Sequence, residues 1–351
     1  MIKIKIAEIF RHRNETTFRP YIMAKELFAD VGIQFVFEGN DYDLTWVGQA
    51  SFSDKNHPYE RMLSRGKWFL ENKVKGDYVL FDGNDSASLM GTYDVFKEST
   101  AKLLLKNTLY SDINDYAKLS IHGRTYWGMS VEHAFNYNLS LEETRSEQFQ
   151  KIQLSGCNWL STISPNWFQY KGIPKDIDVC ALFSFPAKEN DEFCIPTNQY
   201  YDSHRERCIN WLKKLPSSIK VAMLEDGKKI PIDQYYKTMS RSKIIIAPFG
   251  YGEIAPRDIE SAMVGSILIK PDMSHLNTIP NAFVPNQTYI PVKWDFSDLN
   301  EKIEDTLNNF GSLQEFFVEN MRKEYVKQYN SEKLVIHTYN WLSKLEGFGV
   351  S

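Results

Sequence analysis

Residues 242–272 read SKIIIAPFGYGEIAPRDIESAMVGSILIKPD, and no other stretch narrows the choice of fold as much. An uninterrupted apolar run, Ile244 to Ala247, leads into a glycine-rich turn. Pro256 then stands at a first helical position, Gly265 at a helix stop, and a second apolar run spans Ile267 to Ile269. Short apolar runs on either side of a capped helical stretch spell strand–loop–helix–strand, the unit of a parallel α/β sheet. Proline suits the first helical turn because its missing N–H would have had no partner there, and glycine suits the position just past the last turn. Arg257, Asp258 and Glu260 therefore fall at the loop and helix start. In open α/β sheets ligands sit beyond the carboxyl ends of the strands, where helix N-termini favour anions. The segment is expected to form a pocket for a phosphorylated ligand.

The same alternation runs from end to end. Strands are expected at Ile2–Ile9, Ile33–Phe37, Leu44–Val47, Tyr78–Phe81 and Lys102–Leu105, with helical stretches at Phe18–Val31, Tyr59–Asn72 and Thr144–Thr162. Residues 164–177, SPNWFQYKGIPKDI, break the pattern with two prolines and a glycine and read as a linker. A second alternation begins there: a strand at Asp178–Ser184, a helix at His204–Leu215, a strand at Ile219–Leu224 and a short helix at Asp233–Ser240. After the informative segment come a strand at Tyr289–Val292, a helix from Ser297 and an amphipathic helical stretch over Ser312–Leu345. A chain of 351 residues exceeds what one core ordinarily supports. The expected fold is α/β: two Rossmann-like domains facing a cleft, over residues 1–165 and 176–330, with residues 331–351 forming a helix that crosses back to the first domain.

Composition excludes some classes. A formal net charge of -4 argues against a protein that coats nucleic acid, so phosphate binding must be local. The four cysteines, Cys157, Cys180, Cys194 and Cys208, form no CxxC pair and no metal-ligand spacing, so neither a disulfide framework nor a metal is expected. No apolar run approaches the ~20 residues of a membrane span, and MIKIKIAEIF reads as a first strand rather than a secretory signal. A cytoplasmic protein with at most peripheral membrane contact is expected.

The order Ser242, Lys243, apolar run, Pro248, Gly250, Tyr251, Pro256, Arg257, Glu260, Gly265 resembles the C-terminal half of exostosin-like glycosyltransferases, whose fold is of the GT-B type. The N-terminal half carries no comparable signature. The resemblance implies a nucleotide-diphosphate sugar as donor, a glycan or glycolipid as acceptor and no obligatory cofactor. Without a metal, side chains and backbone must hold the diphosphate and stabilise it as it leaves. Arg257 suits that task, because a guanidinium fork matches phosphate oxygens and its helix start adds free N–H groups. Gly250, Tyr251 and Gly252 form the donor loop, with the glycines allowing close backbone approach. Glu260, on the same side of the helix as Arg257, is expected to accept the ribose hydroxyls. Glu253 is expected near the sugar hydroxyls and Ser261 at a phosphate. The plainer alternatives remain: Arg257 and Glu260 as a helix-surface ion pair, Glu253 as a solvated charge, and Asp258 as a charge favoured in a first helical turn. Lys270 and Asp272 are weaker cleft candidates. Arg205 and Arg207 are secondary phosphate candidates or merely a charged helix face.

An inverting transfer needs a base for the acceptor hydroxyl. Asp82 and Asp85, directly after the strand ending at Phe81, are the first candidates, and His122 is the second. Asp82-Gly-Asn-Asp85 also reads as a plain turn with a helix cap. Arg11, His12 and Arg13 come directly after the first strand, near the expected cleft. Retaining relatives space two glutamates one residue further apart than Glu253 and Glu260, which points to inversion. Asp41-Tyr-Asp43 and Asp176-Ile-Asp178 both spell DxD, the manganese-binding pattern of GT-A glycosyltransferases, but both precede apolar runs instead of coming after them. Three other readings stay open: a nucleotide-sugar epimerase of the same fold, a metal-dependent GT-A enzyme and a non-catalytic sugar-binding protein.

Overall fold

Each half of the chain builds one parallel sheet. The computed structural model describes residues 1–10, 14–52, 61–84, 86–87, 89, 91–117, 120–121, 124–125, 139–183, 197–224, 230–250 and 252–348. The strands of the first half are β1 (Ile2–Ala7), β2 (Ile33–Val36), β3 (Leu44–Gly48), β4 (Tyr78–Asp82), β5 (Leu104–Lys106), β6 (Thr108–Tyr110), β7 (Ser120–Ile121), β8 (Arg124–Thr125) and β9 (Ile152–Leu154). Those of the second are β10 (Ile177–Ala181), β11 (Val221–Met223), β12 (Ser242–Ile246), β13 (Ile267–Pro271), β14 (Leu276–Thr278) and β15 (Ile290–Val292). The central strands β4 and β13 are buried throughout. They are covered on both faces, which is why they read in sequence as continuous apolar runs.

The first sheet has the order β2-β1-β3-β4-β5-β9 and the second β11-β10-β12-β13-β15, with every neighbouring pair parallel. Both orders reverse beside the first strand of the lobe, between β1 and β3 and between β10 and β12. Such reversals open a crevice at the carboxyl ends of the strands, because successive crossovers leave to opposite faces there. Each lobe therefore places a topological switch point at the carboxyl edge of its sheet, the position at which open α/β sheets bind ligands.

Strand pairing, a shared apolar cluster and the last helix join the lobes. Strand β6 of the first pairs antiparallel with β14 of the second, and one apolar cluster runs through both, including Leu104, Tyr110 and Tyr116 with Phe249, Leu276 and Phe283. Burial, and after it the charges of Asp82 and Glu253, push the Tyr116 phenol up. Residues just beyond the strand ends of both sheets, Phe52 and Ala87 in the first lobe and Phe249 and Ile254 in the second, belong to that same apolar cluster. The helix Ser331–Leu342 lies on the first lobe: Leu334, Val335, Trp341 and Leu342 join its core, with the Trp341 ring 5.7 Å from Trp46.

The structure departs from the sequence reading at Thr144–Thr162. In place of one helical stretch there is a short helix at Glu147–Gln150, the edge strand β9, and a 3-10 turn at Trp159–Thr162. The β9 residues Ile152 and Leu154 point into the core while Gln153 is only partly covered, a period-two pattern too short to show against its surroundings. Among the described residues, no helix is long and apolar enough to cross a membrane.

Candidate functional site

The carboxyl ends of β10 and β12 flank the second lobe's switch point. Phe183 lies just beyond β10, and Phe249 and Gly250 just beyond β12. The helix Thr197–Leu212 fastens this edge. Its buried His204 accepts the Phe249 N–H at Nε2 (3.3 Å) and stacks its ring on the Phe249 ring at 5.6 Å and 10°. The next residue, Arg205, donates from Nε to the Phe249 carbonyl at 3.3 Å. Gly250 donates to the Gly252 carbonyl at 3.1 Å, which closes the loop tightly. A β-carbon on Gly250 would stand 2.5 Å from Nη2 of Arg205, so the absent side chain is what admits the guanidinium.

Arg257 reaches the same place from the other side. It is the second residue of the helix Pro256–Met263, and its guanidinium carbon is 5.8 Å from the Phe183 ring centroid, against 5.9 Å for Arg205. Its Nε is buried and has no hydrogen-bond partner among the described residues. Two guanidinium groups, a helix N-terminus and a glycine loop thus converge on one phenyl ring at a topological switch point. The chemistry that suits such an array is a doubly charged oxyanion group, since planar forks bind phosphate oxygens in pairs.

One turn along that helix, the Glu260 carboxylate accepts Tyr235 at Oε2 (2.8 Å) and Tyr236 at Oε1 (2.7 Å). Burial above all, with Glu260 adding to it, raises both phenols, so they remain protonated donors. Tyr170, from the connection between the lobes, stacks on Tyr236 at 5.9 Å. The carboxylate is therefore fixed by two hydrogen bonds, one at each oxygen. Neither tyrosine stands out in the sequence; the only signal is a Tyr-Tyr pair on the amphipathic helix Ile232–Ser240.

Other sequence candidates take different places. Glu253 is buried at 1% exposure, so it is not a solvated charge. Ser261 is buried, and its hydroxyl donates to the Asp258 carbonyl at 2.8 Å inside its own helix, which directs it away from a phosphate. Asp258 caps that helix through the Ala255 N–H (2.8 Å) and holds buried Lys270 at 2.6 Å, while Lys270 also donates to the Glu253 carbonyl at 2.9 Å. Lys270 thus braces the loop from inside and does not line the cleft; burial lowers its pKa even against Asp258. Asp272 accepts Ser274 N–H in the turn after β13. Arg207 is exposed on the outer face of its helix. Asp82 and Lys106 form an ion pair at 3.2 Å with both side chains fully buried, and Asp82 also accepts the Asn84 N–H at 2.9 Å. Among the described residues this carboxylate is engaged by the Lys106 ammonium and the turn after β4, a structural use instead of the expected catalytic one. Asp85, His122 and Tyr251, and also Arg11, His12 and Arg13, lie outside the described residues.

Both DxD pairs are occupied at strand entrances. Asp41 pairs with Lys3, whose N–H donates to Asp43 at 2.7 Å; Asp176 pairs with Arg241, and Asp178 with Lys243 at 2.7 Å. Together with the two parallel sheets, this removes the basis for the GT-A reading. Among the described residues no group of three His, Cys, Asp or Glu side chains is placed to hold a metal.

No protein-family model matches the chain, and no curated protein sequence does. Solved structures do. The chain is similar to sucrose-phosphate synthase from Thermosynechococcus elongatus, with a TM-score of 0.50, 11% identity, and coverage of 97% of this chain and 98% of that one. HepE of Anabaena, solved with UDP and with UDP-glucose, gives TM-scores of 0.48 and 0.49 at 11% and 10% identity, covering 98% of this chain and all of that one. The similarity to the synthase spans both lobes, and with the sheet topology it defines the fold: two Rossmann-like domains in the GT-B arrangement.

Proposed function

We propose that the protein is a glycosyltransferase that moves a sugar from a nucleotide-diphosphate donor to a hydroxyl of a glycan acceptor, without a bound metal and with inversion, as a relative of the exostosin-like enzymes. The observation that carries this is the convergence of Arg205 and Arg257 on Phe183 beside Gly250. In the transfer, the acceptor oxygen attacks the anomeric carbon as the bond from that carbon to the diphosphate oxygen breaks. The electron pair leaves with the diphosphate, and the hydroxyl proton passes to a base. The two arginines neutralise the charge that develops on the leaving group. Glu260, held by Tyr235 and Tyr236, takes the ribose diol. The base belongs to the first lobe: Asp85 and His122 are candidates from sequence, and Glu8 lines the crevice there. Free, buried Cys157, Cys180 and Cys208 suit a reducing compartment such as the cytoplasm, where surface polysaccharide precursors are built.

A thermal-shift panel of nucleoside diphosphates and their sugars tests the reading. A ligand at one hundred times its dissociation constant stabilises the folded state by about 2.7 kcal/mol. At least one nucleotide is expected to raise the melting temperature of the wild type and to fail with Arg257→Ala. A panel that shifts nothing, or an Arg257→Ala protein that responds normally, refutes it. Incubating the bound donor without acceptor separates transfer from epimerisation, because only an epimerase changes the sugar under those conditions.

A further inference from the structure

The first lobe has its own switch point, between β1 and β3, and a cavity of about 450 Å3 opens there. Asn14 braces it by donating to the Glu8 carbonyl at 3.1 Å and to Ser51 at 2.8 Å, which ties the residue after β1 to a residue after β3. Phe52 and Phe69 form an apolar floor. The polar wall includes Glu8, Arg65 and Lys73 beside Ser51 and Ser64, and Trp68 is 56% exposed at its side. Glu8 holds a φ of 45°, a left-handed conformation that non-glycine residues adopt only where the surroundings impose it. The Lys73 ammonium stands 5.8 Å from the Trp68 ring centroid.

We infer that this crevice binds a saccharide bearing a carboxylate or a phosphate, and, resting on the transferase reading, that this saccharide is the acceptor. An exposed indole offers a flat apolar platform with a polar edge, which fits the apolar face of a pyranose. Lys73 stands over that ring, so an anionic substituent on a sugar stacked there meets the ammonium, with Arg65 on the same wall to share the charge. Glu8 is the one acidic side chain among the described lining residues, and it accepts hydroxyls rather than the anion. Glu8 and Ser51, at the mouth of this crevice, follow β1 and β3 at the carboxyl edge of the sheet, and Phe52 on its floor belongs to the apolar cluster shared with the second lobe.

Calorimetric titration of the whole chain without nucleotide tests this. The probes are methyl glucuronide, glucose 1-phosphate and neutral methyl glucoside. One of the anionic sugars is expected to bind about tenfold or more tightly than the neutral one, and which of the two does so identifies the anion. Trp68→Ala and Lys73→Glu alter exposed side chains and leave the fold in place. Each is expected to weaken that binding about tenfold or more. Equal binding of charged and neutral sugars, absence of binding by all three, or unchanged affinity in both variants overturns the inference. Nucleotide binding to the same variants is read separately, so failure of the donor site and failure of this site are distinguishable.

Discussion

The guanidinium of Arg205 occupies the space that a β-carbon on Gly250 would fill, with Nη2 only 2.5 Å from that position. The relationship couples a loop residue to a helix residue across the mouth of the second lobe's crevice. Gly250→Ala is therefore expected to displace a flexible side-chain end and leave the backbone intact. Nucleotide affinity should fall about tenfold or more while thermal stability changes little. Titration of the variant with the nucleotide found in the panel checks this, and unaltered affinity removes Arg205 from the site.

In the proposed donor site Arg257 is expected to fill a geometric role that a lysine cannot. Its buried Nε has no hydrogen-bond partner among the described residues, and in the proposed site the fork takes the donor's diphosphate. Arg257→Lys keeps the charge and loses the second donor, and it should restore little of what Arg257→Ala removes. Comparing the nucleotide affinities of the two variants measures the fork separately from the charge. A lysine variant with wild-type affinity shows that charge alone suffices.

Asp82 is attractive as a base because it ends a strand, and its pairing with Lys106 gives the opposite expectation. Removing one member of a fully buried ion pair leaves an uncompensated charge and costs about 3–5 kcal/mol. Asp82→Asn should lower the denaturation midpoint strongly, and adding Lys106→Met should recover most of the loss. A catalytic base would show the reverse pattern, with activity abolished and stability unchanged.

Much of the fold is legible because parallel strands buried on both faces write themselves as apolar runs. Tyr78–Asp82, Ser242–Ile246 and Ile267–Pro271 all show this. The clasp of Thr108–Tyr110 with Leu276–Thr278 is not legible, since its pairing depends on lobe placement and not on local pattern. In the site, spacing puts Arg257 and Glu260 on one helical face. It does not show which neighbouring face is covered, and so it misplaces Ser261, one residue further round. Lys270 misleads for a related reason: a charge at a strand end reads as a cleft residue unless its buried partner, Asp258, is seen across the turn. The tyrosines that aim Glu260 come from another helix, which no single-segment pattern can connect to it.

Lys175, in the connection between the lobes, is expected to make the stability depend on pH. Its Nζ donates to the Val264 carbonyl at 2.7 Å and to Ser266 at 3.0 Å, closing the end of the helix that carries Arg257. Burial lowers its pKa from 10.5 to about 7. The folded amine therefore gives up its proton near neutrality, while the unfolded one keeps it until about 10.5. Across that window the unfolded state binds more protons, so stability rises with pH. The contribution is complete above the unfolded value and is lost as pH falls through the folded one. Urea midpoints of the wild type and Lys175→Met, taken at intervals from neutrality upward, isolate this group from the others that titrate. The wild type should gain on the variant as pH rises. A constant difference between the two curves would show that the ammonium stays charged in the folded protein, and that the carbonyl and hydroxyl around it offset the loss of hydration.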